Sequence, residues 1–331
     1  MSLRALRTKF LLSLLFGIAV VAALSLYADL EKLRASLAAF HWGLLPPILA
    51  LTLLNYGLRF VKWHYYLGQI GVRGVGLAES AGVFFAGLTM TLTPGKVGEW
   101  LKSYLLREMI GVPFFRTAPV VLVERATDGL AMVLLATGGL VLFRVAWQLV
   151  ALVLLIELSV LVVCWVPAVA SLCFRIAEIL PGVRRFVPHL QEAYASAQTL
   201  VSPRNLLIGV ALGFVSWSGE CVAFYLVLTG LGQPQSAELV VQAAFILAVA
   251  SLGGSLLLVP GGLGVAEGGI TGLAQLLLDM PRELAVTSAL LIRLSTLWFG
   301  VSIGLVTLLI LTRRLSAVRR AGLQAEEGVA R

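Results

Sequence analysis

An all-α polytopic membrane protein, built as an inverted repeat of about six transmembrane helices plus two re-entrant helical hairpins, is what the sequence predicts, on three observations. Of 331 residues, 59% are hydrophobic and 13% charged, and the mean hydropathy is +0.96. That leaves too little polar surface to cover a soluble domain. The apolar sequence is broken twice by proline, glycine and charge, at TPGKVGEWLK (93–102) and at VPGGLGVAEGG (259–269). Each break is followed by an arginine inside an apolar run at one spacing, Glu99 to Arg125 and Glu267 to Arg293, 26 residues in both cases.

Taken in order, Arg4, Arg7 and Lys9 precede an apolar run from Phe10 to Ala28 that is longer than a signal-peptide core of ~7–15 residues and lacks a small-residue cleavage site. It reads as an uncleaved first helix. A mixed-charge segment, Asp29 to His41, leads to a second span from Trp42 to about Phe60, long enough for a hydrocarbon core of ~30 Å. The cluster Arg59, Lys62, Trp63, Tyr65 and Tyr66 at its end reads as interfacial anchors, and Arg59, one turn from Asn55, as a snorkelling arginine. From Gly76 the chain is apolar to Thr91, breaks at Pro94, Gly95 and Gly98, and resumes only at Thr117. Its two arms are too short to span comfortably, so a re-entrant hairpin is expected, its non-helical tip shielded by protein or lining a wet cavity. Spans follow at Thr117–Phe143 and Trp147–Phe174. A Pro- and Arg-bearing interfacial linker covers 175–204, and another span runs from Asn205 to Gly230. A second hairpin comprises an arm 238–258, the turn with Pro260, Gly261, Gly262 and Gly264, and an arm 265–278, before the last span 284–312.

This gives one membrane domain over 1–314, repeat A at about 10–143 and repeat B at about 146–312, with a cytoplasmic tail at 315–331. Placing the basic loops inside sets both termini, Lys102, Arg107, Arg116 and the linker in the cytoplasm. Three spans separate the halves, so they run in opposite senses and their hairpins enter from opposite faces. The formal charge of +8 follows this loop bias and does not indicate nucleic acid. Cys164, Cys173 and Cys221 form neither a CxxC motif nor an even framework, and His41, His64 and His189 are isolated, so no metal is expected, nor any other cofactor.

The chemistry is expected where the breaks meet. Arg125 and Arg293 lie about 12–14 Å into their spans at ~1.5 Å per residue, near the bilayer centre, where an arginine costs at least ~2.5–3.5 kcal/mol and must be paired or bathed. Glu99 and Glu267 are the natural partners, with Asp128 at i+3 from Arg125. Lys96, Glu99, Arg125, Asp128, Glu267 and Arg293 are the candidate substrate-binding residues, and Glu124 and Glu220 the candidates for proton coupling. The helix N-termini after each turn add partial positive charge. A purely structural role, each pair tying a hairpin to the next span, stands beside the functional one. Glu157 has no counterpart in the other half.

The segments LTPGKVGEWLKSYLL (92–106), VLVERATDGLAMVLL (121–135), VPGGLGVAEGG and LLIRLSTLW (290–298) resemble the flippase-like, inner-membrane family named for the transmembrane region of lysylphosphatidylglycerol synthase, over about 9–314. That resemblance implies a multi-pass protein of the bacterial cytoplasmic membrane that moves lipid between leaflets, with the family's polar positions falling on Glu99, Glu124, Arg125, Asp128, Glu267 and Arg293. The sequence ends at Arg331 without the synthases' aminoacyl-transferase domain, so aminoacylation by this chain is not expected. The expected function is a lipid translocase and not an enzyme, its partners lipids with anionic headgroups, phospholipid or polyprenyl-phosphate-linked. A proton-coupled carrier of a small solute and a membrane-embedded transferase on lipid-linked sugar are the alternatives.

Overall fold

The computed structural model describes residues 3–93, 99–257 and 259–313, and all regular structure within them is helical. Helix α1 (Leu3–Ala28) ends at Asp29, whose backbone is left-handed (φ 70°) and whose carboxylate accepts the Glu31 N–H at 3.0 Å. This cap starts α2 (Leu30–Ala39) at 95° to the α1 segment 12–28. Helix α3 (Leu45–Gln69) carries Pro46 and Pro47 in its first turn, where a missing N–H costs nothing. Helices α4 (Leu77–Leu88) and α5 (Leu101–Ile110) flank the first break, and α6 (Phe114–Phe143) follows. Next come α7 (Trp147–Trp165), α8 (Pro167–Ile179), α9 (Val187–Leu200) and α10 (Pro203–Gly230). Helices α11 (Ala237–Leu256) and α12 (Val265–Leu278) flank the second break. Helix α13 (Arg282–Arg293) continues through a π-helical turn, Leu294–Trp298, to Arg313.

Six described stretches are long and apolar enough to cross a membrane: Trp42–Gln69, α6, α7, α10, α11 and Arg282–Arg313. The bent α1–α2 pair is a seventh if counted as one span. The chain is an all-α polytopic membrane protein. Helix α11, expected as a hairpin arm at 238–258, runs Ala237–Leu256 and at 20 residues is long enough to cross alone. Two expectations change. The span expected at 147–174 stops at Trp165, because Val166 is extended (φ −107°, ψ 99°), as the residue before Pro167 favours. The linker 175–204 is largely helical, and Trp165 and Gln198 tie α9 to the end of α7 through hydrogen bonds to Val201 O (2.8 Å) and Cys164 O (3.1 Å).

At the second break the chain doubles back. Gln242 on α11 donates to Leu277 O on α12 at 3.0 Å, Gly269 packs on Ala250 and Gly262 on Gly254, so the arms run antiparallel along their length. Between them Gly261, Gly262 and Gly264 take φ of 58°, 67° and 80°, a region that a side chain penalises. At the first break, Gly87 on α4 lies against the aliphatic stem of Lys102 on α5. The two breaks touch: Leu92 and Leu297 both lie against Gly261.

Helix α10 packs along α3 and α6. A Cβ built on Gly209 would overlap the Tyr66 hydroxyl of α3 at 1.8 Å, and one on Gly213 would meet Thr127 O of α6 at 3.2 Å. This GxxxG pair lets backbones approach as it does between membrane helices generally, and Asn55 on α3 donates to Ser216 O and Oγ at 3.0 and 2.8 Å.

Candidate functional site

Helix α6 carries three charged residues within little more than one turn, Glu124, Arg125 and Asp128, and each finds a partner outside the helix. Glu124, fully buried, accepts from Lys102 Nζ of α5 at 2.6 Å, and the same ammonium stands 4.4 Å from the centre of the buried Trp63 ring. Asp128 is contacted by Lys62 of α3 through Oδ1, by Arg125 at 3.3 Å and by Arg59 at 3.7 Å. Arg125 in turn reaches Glu99, just before α5, at 3.3 Å. One network thus ties α3, the first break and α6.

The second break has a smaller version. Glu267, in the first turn of α12, accepts the Gly264 N–H through Oε2 at 2.7 Å and Arg293 Nε through Oε1 at 2.7 Å. Arg293 also donates to Gly261 O, bracing the turn itself. The carboxylate therefore stands at the helix N-terminus that the sequence suggested for an anion. Immediately after Arg293 comes the π-helical turn, whose Thr296 carbonyl accepts from the Tyr56 hydroxyl. Such turns are frequently found at functional sites.

Between the two networks lies a cavity of about 140 Å³ whose charged lining is Arg59, Glu99, Arg125, Glu220 and Arg293. The three arginines are its accessible cations: their side chains are 12, 25 and 15% exposed for Arg59, Arg125 and Arg293, against 1 and 6% for Lys62 and Lys102. A groove of about 400 Å³ adjoins the cavity, sharing Glu99, Arg125, Met132 and Ser255 with it. Its walls are otherwise mostly apolar side chains of α6, α7 and α11, and Leu122, Ile156 and Val160 carry it to the exposed face. A third, apolar space of about 310 Å³ among α6–α9 meets the groove at Leu122, Ala126, Glu157 and Val160. The Glu157 carboxylate lies on Gly129, where a Cβ would overlap it at 1.8 Å.

The expected pairs Glu99–Arg125 and Glu267–Arg293 both form, and Asp128 joins the first. Among the described residues of the expected binding set, Glu99, Arg125 and Arg293 line the cavity, Asp128 lines the adjoining groove, and Glu267 is paired with Arg293. Of the turn residues, Pro260, Gly261 and Gly262 form the short turn and Gly264 caps α12. Lys96, Pro94, Gly95 and Gly98 lie outside the described residues. Glu124 is closed into its pair with Lys102, whereas Glu220 faces the cavity. Three basic residues and two aromatics lie elsewhere than expected. Arg59 lines the cavity, and Lys62, with Trp63 and Tyr66, is buried between helices where the sequence suggested interfacial anchors. Lys102, expected in a cytoplasmic loop, is 5% exposed and paired. The available signal was Asn55, Arg59, Lys62 and Tyr66, a polar stripe on one face of α3.

The family model described as lysylphosphatidylglycerol synthase TM region matches residues 12–304. The chain belongs to that family. The matched segment takes in both breaks and every charged residue of the cavity. A UPF0104 membrane protein of Methanothermobacter thermautotrophicus is 24% identical over 305 residues, covering 87% of this chain and 89% of the relative. The likeness to this relative thus runs through nearly the whole membrane body and is not confined to one motif.

Proposed function

We propose that the protein is a lipid translocase that carries an anionic headgroup, of a phospholipid or a polyprenyl-phosphate-linked lipid, through the central cavity while the tails stay in the adjoining groove. The observation that supports this reading is the continuity of a small arginine-lined cavity with an apolar groove that opens sideways between α6, α7 and α11. A carrier of a small soluble solute calls for a polar chamber closed to the sides, and a transferase calls for a donor-binding loop. A charged headgroup with an attached hydrocarbon chain calls for the two environments found side by side, each solvating its own part of the ligand.

In this reading the two breaks are the tips of hairpins belonging to oppositely oriented halves, and access alternates as one half rocks against the other. The chain is then a transport protein and not an enzyme. It sits in a bacterial cytoplasmic membrane with both termini inside, where the basic loops would place them. Arg125 and Arg293 hold the headgroup, and Arg59 is the third cation within its reach.

The test is translocation of headgroup-labelled lipid in proteoliposomes, with a panel that includes phosphatidylglycerol and a polyprenyl phosphate. Wild type should move at least one anionic lipid, and Arg125→Ala and Arg293→Ala should lose that movement while still purifying as folded protein. No movement of any lipid, with or without a proton gradient, overturns the reading.

A further inference from the structure

Among the described residues, the intramembrane ion pairs use five cations, Arg59, Lys62, Lys102, Arg125 and Arg293, against four carboxylates. The paired set therefore has one surplus positive charge. The carboxylate that cancels it is Glu220 of α10. It is 5% exposed, lines the cavity, and forms no ion pair or side-chain hydrogen bond among the described residues. The positive charges acting on it are Arg59 of α3 and Arg293 of α13, and the negative one is Asp128 of α6. Tyr56 of α3 and Cys221 on its own helix are its titratable neighbours.

We infer that Glu220 is the proton-binding residue of the carrier, and that an anionic headgroup and an ionised Glu220 compete for the same arginines, so that one proton is taken up for each anion bound. This rests on the translocase reading and deepens it. With Glu220 ionised, the charges of the described cluster balance and it holds no extra anion well, since the headgroup would add uncompensated charge in a low-dielectric space. With Glu220 protonated, one positive charge is free and a monoanion fills it. The loaded cavity then carries the same net charge as the empty, ionised one. Anion and proton consequently move together, without net charge, so a pH gradient drives the carrier and a membrane potential does not. The four other carboxylates are poorly suited to this role because protonating any of them strands a cation that is already paired. Glu157 lines the groove and not the cavity, and the arginine that shares the groove with it, Arg125, is already paired with Glu99 and Asp128.

The experiment is proton uptake and affinity on binding dihexanoylphosphatidylglycerol to the detergent-solubilised full chain across pH. Wild type should take up about one proton per anion, with affinity falling toward about tenfold per pH unit above the transition, as linkage of one proton requires. Glu220→Gln should bind without uptake and without that pH dependence, and Glu220→Asp should retain both. Equal uptake by wild type and Glu220→Gln, or its loss in Glu157→Gln instead, overturns the inference and leaves the translocase reading intact. If Glu220→Gln does not fold, wild type still decides, because anion binding without proton uptake overturns the proposal. A wild type that binds no anion at any pH overturns the inference and the anion site together. A wild type that binds with uptake but moves no lipid overturns only the translocase reading.

Discussion

Lys102 and Glu124 meet at 2.6 Å with both side chains closed off from their surroundings. Removing one partner of such a pair leaves an uncompensated buried charge and is expected to destabilise the fold by about 3–5 kcal/mol, whereas replacing both with apolar residues of similar volume comes close to neutral. Lys102→Met and Glu124→Leu should therefore each lower the unfolding temperature in detergent, and the double variant should recover most of the loss. The same contrast shows what the sequence made legible at this scale. Glu99 with Arg125, and Glu267 with Arg293, were readable because one spacing occurs twice, and both pairs form. Arg59, Lys62 and Lys102 were not, because a basic residue beside aromatics at the end of an apolar run is also the pattern of an interfacial anchor. Their partners lie on other helices, and only the packing of α3 against α6 and α10 shows that these side chains point inward.

Helix α10 approaches α3 at Gly209 and α6 at Gly213, and Gly213 lies beside the Lys62 ammonium that meets Asp128. Gly209→Val is expected to push Tyr66 out of place and cost about 1–3 kcal/mol as overpacking, visible as a lower unfolding temperature. The second hairpin tests what could be read at the level of elements. Its turn was legible because proline followed by closely spaced glycines cannot continue a helix, and the left-handed backbone at Gly261, Gly262 and Gly264 is the physical reason for that composition. The extent of its first arm was legible too, 238–258 against Ala237–Leu256, and α11 stays regular through Gly253 and Gly254, where its neighbours on the other arm are Val265, Gly262 and Ala266. A glycine that signals a break in isolation is here the place where a second backbone comes close. The early stop of α7, and with it the separation of α8, was signalled by Pro167 alone, and the helical character of α9 was obscured by the proline in its first turn.

Across the whole molecule, the polar cavity and the apolar groove form one continuous space, and its shape yields a test independent of charge. Val160 lies on the groove wall and is half exposed, so a larger side chain there fills the groove without entering the core. Val160→Trp is expected to leave the unfolding temperature close to that of wild type and to reduce lipid translocation to the protein-free rate; unchanged translocation would show that tails do not use this path. The cavity itself was only half legible in the sequence, which placed two arginines near the centre but had no means of bringing Arg59 or Glu220 to them. Those two come from α3 and α10, helices that flank the breaks in space and not in the chain. Leu92, beside the first break, and Leu297, beyond Arg293, both stand where a side chain on Gly261 would point, so the second break does not decide alone which side chains it tolerates. Descent is constrained accordingly: positions 92, 261 and 297, far apart along the chain, are expected to change as a set or not at all.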